Sequence, residues 1–431
     1  MKNYIITAIA IIGLSFSAIA QGLQRDMQFW RPYDQRGLNI FETGKEDTVA
    51  YEGMRVRIGG HFAQQWQNLS HENTATPVLN ANNVNLNQLV EIGAGTNLAT
   101  ANLNIDVALA DGLRLNLTTY LSSRHHPETW VKGGYLQVDK LGFLNLGETE
   151  WFDKYLTVRV GHMEINYGDA HFRRSDNGNA MYNPFVGNYI MDAFTTEVGG
   201  EVLFQSNGWL AMAAVTGGEI QGGVTNPANR KPNFIGKFGY DNYLTDDFRL
   251  RLTGSIYTTS SSQRNTLWGG DRAGSRYYLV MENTLASTSG NFTSGRFNPG
   301  QTNNITAIVF NPFIKFHGLE FFGNFERSTG KARNETEDRT WNQTGADLVY
   351  RFGANEKFYL AGRYNKVSGP LAGSGLEVSM DRIQVGGGWF VTKNVLAKLE
   401  YVSQNFNDFA ATDRFNGGRF NGLMIEGVIG F

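Results

Sequence analysis

The last ten residues of the chain alternate between two kinds of side chain. One row, counted back by twos from Phe431, is apolar or glycine: Ile429, Gly427, Ile425 and Leu423. The other row includes Glu426. Alternate residues of a β-strand point to opposite sides of the sheet. This strand can therefore place one face against lipid, while the other face carries a carboxylate in a polar interior.

A strand of this kind that ends in Phe resembles the last strand of bacterial outer-membrane β-barrels. The resemblance implies that Phe431 belongs to an insertion signal read by the barrel assembly machinery. It also implies that the protein lies in the outer membrane of a Gram-negative cell, with outer-membrane lipid as a partner.

Residues 1–20 predict a secretory signal peptide. They contain a positive charge at Lys2, an apolar run over residues 5–16 and an A-x-A-type cleavage site in residues 17–20. We expect cleavage near Ala20. The chain contains no Cys, which excludes a lipid-anchored lipoprotein, disulfides and thiolate metal sites. The sequence predicts no cofactor and no metal site.

The composition agrees with a membrane barrel. The mean hydropathy is -0.33, and no apolar run of about 18 residues follows the signal, which excludes a helical membrane protein. Only half of each barrel strand needs to be apolar, so a membrane barrel is polar on average. The net charge of -2 gives no reason to expect a nucleic-acid partner. A soluble secreted β-sandwich or solenoid is the alternative, which the terminal strand and the strand count argue against.

Short turns between alternating segments predict an all-β fold, a transmembrane antiparallel barrel of sixteen strands. The clearest hairpin joins residues 103–109 to 113–119 around Asp111-Gly112, a strong turn signal. Six more short connections lie at 140–153, 206–208, 243–247, 317–318, 353–356 and 392–394. A first strand near 53–66 and a last strand at 419–431 complete the count. Eighteen strands are the alternative, with an extra strand at Tyr277–Met281.

Longer, polar connections predict extracellular loops at the other end of the barrel. They fall at 67–99, 122–130, 165–194, 217–231, 259–302, 329–340, 367–379 and 405–418. The predicted organisation is a signal peptide at 1–20, a periplasmic or lumenal leader at 21–52 and a barrel at 53–431. The leader is too short for a globular plug. We expect it to tuck beneath or inside the barrel, with docking to a partner as the alternative.

Sixteen strands enclose a water-filled lumen, and strand parity predicts which charges line it. The predicted cations are Arg55, Arg57, Arg114, Arg159, Arg249, Arg251, Arg351, Arg363 and Lys398. The predicted acids are Asp106, Glu197, Glu201, Glu320, Asp347, Glu400 and Glu426. This slightly basic balance allows a weak anion preference. The alternative is that the charges only solvate the wall and pair across strands.

The third long loop carries the remaining candidate site. Residues 158–168, VRVGHMEINYG, resemble the region of the phosphate-selective porin superfamily in which a strand leads into that loop. In many sixteen-stranded porins the third loop folds inward and narrows the channel. We therefore expect Asp169, Arg173, Arg174 and Asp176 to form a charged constriction. The alternative is a solvated surface loop. The lysine clusters and arginine ladder of a dedicated phosphate path are absent from the sequence.

These observations predict a porin for passive diffusion of small hydrophilic solutes. The resemblance implies a homotrimer, and the small outward residues Gly323, Gly387 and Ala397 would permit close subunit contact. The alternative is a plugged barrel, with its lumen closed by the loops at 165–194 and 259–302, that serves as a binding or scaffold component of a surface or secretion assembly. An enzyme is not predicted, since hydrolase and nucleotide-binding motifs are absent. Only His125-His126 and Asp169 with His171 suggest catalysis.

Overall fold

A computed structural model describes residues 26–122, 128–220, 223–270 and 276–431. The predicted signal peptide, its cleavage site and the His125-His126 pair lie outside the described residues. Within the described ranges there is one α-helix, α1, which spans Glu150–Tyr155. The strands are β1 Arg55–Glu72, β2 Gly95–Thr96, β3 Thr100–Ala110, β4 Leu113–Leu121, β5 Trp130–Val138, β6 Leu156–Glu164, β7 Thr196–Ser206, β8 Trp209–Thr216, β9 Asn233–Thr245, β10 Phe248–Thr259, β11 Asn304–Phe316, β12 Leu319–Lys331, β13 Arg339–Phe352, β14 Phe358–Pro370, β15 Glu377–Thr392, β16 Val395–Asn407 and β17 Arg419–Gly430.

The strands form one closed antiparallel barrel that counts as sixteen-stranded. The two-residue β2 and the longer β3 both pair with β1, so together they occupy one strand position in the barrel. Closure comes from β1 and β17, which pair from His61 opposite Gly430 to Glu72 opposite Arg419. Every backbone group of a lipid-facing strand needs a partner inside the protein, and a closed sheet provides one. The predicted barrel is confirmed.

The predicted turns also agree with the structure, because each of the seven joins two consecutive strands. The connection between β5 and β6 is the longest of them and contains α1. The alternative of eighteen strands is wrong. Residues 277–281 form turns rather than a strand, and Leu279 and Met281 both have φ of 58°, which a strand cannot accommodate.

Along each strand, outward side chains alternate with inward ones. The outward row of β15 includes Val385 and Trp389, which are 56% and 48% exposed. Near the turns, aromatic rings stack from strand to strand. The ring centroids of Phe352 and Phe358 are 5.7 Å apart, and those of Phe358 and Trp389 are 6.2 Å apart. Such an aromatic girdle marks the membrane interface of outer-membrane barrels. No helix in the described part of the chain is long and apolar enough to cross a membrane.

The apolar core of the molecule lies inside the barrel. The third long loop (residues 165–195), the fifth long loop (the described parts of 260–303) and the leader (residues 26–52) all contribute buried residues to it. Ile190 and Val280, for example, belong to the same buried cluster as Met380 on the inner face of β15. The sequence predicts a water-filled lumen, whereas three segments together fill most of it. Two of these segments are the loops that the plugged-barrel alternative names, and the third is the leader.

Candidate functional site in the barrel lumen

The third long loop crosses the lumen and contacts both sides of the wall. Its Ile190 amide donates to Asn365 Oδ1 at 2.6 Å on β14, and its Met191 amide donates to Gln343 Oε1 at 3.0 Å on β13. On the far side, Asn102 Nδ2 of β3 donates to the Asp176 carbonyl at 3.0 Å. Backbone groups that have left regular structure thus find partners in inward amide side chains. These contacts fix the loop across the barrel.

Asp169, the first of the predicted constriction residues, is fully buried in an ion cluster. Arg251 Nε lies 2.8 Å from its Oδ2, Lys237 Nζ lies 3.0 Å from its Oδ1, and Thr253 donates a further hydrogen bond. Burial acts to raise the pKa of Asp169, but Arg251 and Lys237 outweigh it and hold that pKa below its ordinary value. Asp169 therefore stays charged and ties the loop to β9 and β10.

The other three predicted residues have separate partners. Arg174 binds Asp192 of the same loop through two hydrogen bonds, at 2.8 and 2.6 Å. Arg173 Nη2 lies 3.5 Å from Glu320 on β12. Asp176 forms an ion pair with Lys132 on β5. Only Arg174 and Asp176 approach each other, at 3.9 Å. All four side chains are buried, and they have different partners. They therefore lie in several paired sites and do not surround one opening. Their control of ion passage stays a prediction.

The leader is anchored by the same ion cluster, which sequence reasoning did not foresee. Glu42 lies between Arg251 and Lys237, at 2.7 and 3.3 Å. Three residues earlier in the chain, Asn39 Nδ2 donates to Glu320 Oε1 at 2.6 Å. The unusual mixture of aromatic and charged residues in this segment was the available signal. Sequence could not name the strands that the segment would meet.

The predicted lumen-lining arginines are mostly inward and paired with carboxylates. The shortest contacts are Arg114–Asp106 2.6 Å, Arg159–Glu201 2.9 Å, Arg249–Asp241 2.7 Å, Arg351–Glu320 2.7 Å and Arg363–Asp347 2.6 Å. Arg57 lies over the Trp30 ring at 4.3 Å. At the barrel rim, Arg55 contacts Glu52 at 2.8 Å. Pairing across the inner wall leaves little uncompensated charge, and a role of these residues in ion selection stays a prediction.

A cavity of about 240 Å³ remains between the wall of β3–β6, the leader and the third long loop. Its lining combines amides, arginines and aromatic rings, represented by Tyr33, Asn102, Arg114, Tyr135 and Tyr182. These residues come from distant parts of the sequence, and they meet only because the loop and the leader fold inward. No local motif could have identified this cavity.

The suggested catalytic pair does not form. The His171 Nε2 lies 3.0 Å from Asn166 Oδ1, while the Asp169 carboxylate is engaged by Arg251 and Lys237. Residues 176–179 form a tight turn in which the Asp176 and Asn179 backbones hydrogen-bond to each other, with Asn177 at φ of 51°. Among the described residues, no group of three or more His, Asp or Glu side chains is arranged to hold a metal ion.

No family model matches the chain, and no curated protein matches it. Solved structures match its fold. An anion-selective porin from Comamonas acidovorans has a TM-score of 0.52 and 11% identity, over 88% of this chain and 100% of that chain. The trimer form of OmpT, an outer membrane protein of Vibrio cholerae, has a TM-score of 0.51 and 11% identity, with the same coverage of both chains. The outer membrane channel DcaP of Acinetobacter baumannii has a TM-score of 0.50 and 10% identity, over 89% and 99%. The chain thus has the fold of Gram-negative outer-membrane porins.

Proposed function

We propose that the protein is an outer-membrane channel for passive diffusion of small hydrophilic solutes. The observation that carries this proposal is the closed sixteen-stranded barrel with an apolar outer face and a polar inner face. That arrangement suits a hydrocarbon exterior and an aqueous interior, and barrels of this strand number have room for a pore. The solved channels with the same fold agree with it.

The filled lumen argues for a narrow path. The remaining cavity runs along β3–β6, from Arg114 and Arg159 towards the turn side to Lys132 and Glu164 towards the loop side. A solute would follow this wall, where the third long loop and the leader form the opposite side. Passage of anything larger requires those segments to shift. The predicted constriction residues Asp169, Arg173, Arg174 and Asp176 would act by holding the loop in place.

A weak preference for anions is the finer part of this proposal. The inner face carries more predicted cations than acids, but most of these cations have a carboxylate partner within 3 Å. Paired charges bias ion passage less than an unpaired ring does. We therefore expect a small anion preference, and not a selective anion filter.

We further propose a homotrimer in the Gram-negative outer membrane. One solved structure with the same fold is described as a trimer. Secretion with cleavage near Ala20, and insertion by the barrel assembly machinery through a signal that includes Phe431, complete this proposal. We place the protein among channels and not among enzymes, since its one described candidate dyad is engaged in other contacts.

The filling of the lumen favours a second candidate, a plugged barrel that acts as a binding or scaffold component of a surface or secretion assembly. The third long loop makes hydrogen bonds or ion pairs with strands on both sides of the barrel, which is more contact than a simple constriction requires. A permanently closed barrel would expose its loops as its working surface.

Planar-bilayer recording under a salt gradient separates the two candidates. The channel proposal expects stable conductance in multiples of three and a small reversal potential of the sign for anions. Folded wild-type protein that stays silent, together with a silent Glu42→Gln variant in which the leader is loosened, would overturn the channel and favour the plugged barrel.

A further inference from the structure

We propose that the cavity beside β3–β6 is a binding site for a neutral polyhydroxyl solute of about monosaccharide size. This inference rests on the proposed channel function for delivery of the solute to the cavity, and it names the solute class. The cavity of about 240 Å³ exceeds what one water occupies. Its wall offers hydrogen-bond donors, hydrogen-bond acceptors and aromatic faces.

The cavity is lined by buried polar residues, some of whose atoms have no hydrogen-bond partner within the described part of the structure. Asn102 Oδ1 and Asn179 Oδ1 are unpartnered acceptors, and Arg114 Nε is an unpartnered donor. Asn102 and Arg114 are only 5% and 8% exposed. A buried polar atom without a partner costs free energy. A ligand that both donates and accepts would therefore stabilise this wall.

The chemistry of these unpartnered atoms selects the class of ligand. A hydroxyl group donates to an amide oxygen and accepts from a guanidinium, so it suits both kinds of atom. A carboxylate or phosphate only accepts at this set, and it would repel the oxygens of Asn102 and Asn179. Arg114 lies further towards the turns, since it pairs with Ala108 whereas Asn102 pairs with Tyr120. The unpartnered acceptors at the loop end of the cavity need donors, and they therefore favour hydroxyl groups over anions.

The charges of the cavity do not favour an anion either. Arg114 contacts Asp106 at 2.6 Å, and Arg159 contacts Glu201 at 2.9 Å. Lys132 forms its ion pair with Asp176. Arg31 also lines the cavity, as does Glu164. Arg114, Arg159 and Lys132 are thus each paired with a carboxylate. Arg31 instead donates to the Gly37 and Phe172 carbonyls and lies over the Tyr182 ring, so a bound anion would have to displace existing partners.

Aromatic rings complete the site. Tyr33, Tyr135 and Tyr182 line the cavity together with Trp30. Trp30 and Tyr33 meet edge to face at 5.1 Å between ring centroids, so their orientation is fixed by packing. The C–H faces of a sugar ring pack on such surfaces while its hydroxyls reach polar groups around them. A preformed site with a few polar groups among aromatic walls is typical of small-molecule recognition.

Saturation-transfer NMR of the full-length protein in detergent tests this inference, with glucose and gluconate as probes. The two probes have similar size and hydroxyl content, but gluconate is charged. We expect saturation transfer to glucose at millimolar concentration and a several-fold weaker effect for gluconate. Thr118 also lines the cavity, and its hydroxyl oxygen can accept from a ligand while it donates to Asn104. Asn102→Leu and Thr118→Val should each weaken the glucose effect by about fivefold, the size expected for one lost hydrogen bond.

Asn405→Leu is the matched control, because Asn405 is exposed and lies at the loop end of β16, away from the cavity. Thr118→Val keeps the side-chain shape, so it remains informative if Asn102→Leu fails to fold. Equal or stronger transfer to gluconate, or unchanged glucose transfer in folded Thr118→Val, would overturn the site. Bilayer conductance is recorded separately: a conducting protein without glucose transfer refutes the site alone, and glucose transfer in a silent protein refutes the channel alone.

Discussion

Glu42 links the leader to the barrel wall through one carboxylate. Its side chain is almost fully buried between Arg251 and Lys237, which also hold Asp169 of the third long loop. Four charges, from the leader, the third long loop, β9 and β10, therefore share one buried cluster. Burial acts to raise the pKa of Glu42, but the two cations outweigh it and hold that pKa below its ordinary value. The leader is docked by a charge that its partners keep ionised.

Glu42→Gln should loosen the leader without unfolding the barrel. The amide keeps the size of the side chain but removes the charge, and a hydrogen bond to a charged group contributes about 1.5–3 kcal/mol. We expect faster proteolysis within residues 26–52 and a larger bilayer conductance. Glu46→Gln is the matched control, since Glu46 is exposed in the same segment. Equal proteolysis rates for the two variants would contradict the role of this cluster.

His171 should make docking of the third long loop sensitive to acid. Burial, with Lys237 nearby, holds the pKa of His171 well below its ordinary value of 6.5. The docked residue is neutral, whereas the released one takes up a proton below that pH. Docking is therefore complete above pH 6.5 and weakens as the pH falls through that value, by up to about tenfold per pH unit.

Conductance of the wild type between pH 7.5 and 5 checks this expectation. It should rise as the pH falls, and the rise should be smaller in His171→Gln, which cannot take up the proton. His317→Gln serves as the control, because His317 is exposed in the turn between β11 and β12. A rise of the same size in His171→Gln would exclude this residue as the source.

At the scale of elements, the strands could be predicted from the residue pattern itself, whereas the inward position of the third long loop was expected only from the resemblance to porins. A strand such as β17 carries its own signal, because lipid on one side and polar interior on the other impose a period of two. The third long loop has no such period. Its inward position depends on partners far along the chain, such as Asn365 for Ile190 and Gln343 for Met191. The cavity depends on these specific partners, and no local sequence pattern indicates them.

The seam between β1 and β17 includes the terminal aromatic residue. The Phe431 amide donates to the Gly60 carbonyl at 3.1 Å, and the Gly60 amide donates to the Phe431 carbonyl at 3.0 Å. The Phe431 side chain is 46% exposed on the outer face. The residue therefore combines a closing backbone pair with an outward ring.

Phe431→Ala should lower the amount of assembled barrel in the outer membrane several-fold. It should leave the stability of the assembled barrel nearly unchanged, because the backbone pair with Gly60 remains. Membrane fractionation measures the first effect and denaturant unfolding the second. Phe352→Ala is the control, an outward ring of similar exposure at the end of β13. If both variants assembled equally, Phe431 would have no special part in insertion.

For the molecule as a whole, the outer surface determines where the barrel lies in a bilayer. Val385 and Val391 are both outward on β15 and 56% and 42% exposed, but they lie on opposite sides of Trp389 in the aromatic girdle. If the girdle marks the interface, Val385 lies towards the bilayer midplane and Val391 lies beyond the hydrocarbon. The loss of stability caused by the same substitution at these two positions then reports how deep each one lies in the bilayer.

Val385→Arg should destabilise the folded barrel in lipid vesicles by about 2–4 kcal/mol, and Val391→Arg by no more than about 1 kcal/mol. The charge of Arg at the midplane must leave hydrocarbon by bending or thinning the bilayer, whereas near the interface it reaches water directly. Equilibrium unfolding in guanidinium, followed by tryptophan fluorescence in vesicles, gives both values. Equal losses at the two sites would show that the aromatic girdle does not mark the membrane boundary. The difference between the sites should shrink in detergent micelles, since a micelle deforms around a charge more easily than a bilayer.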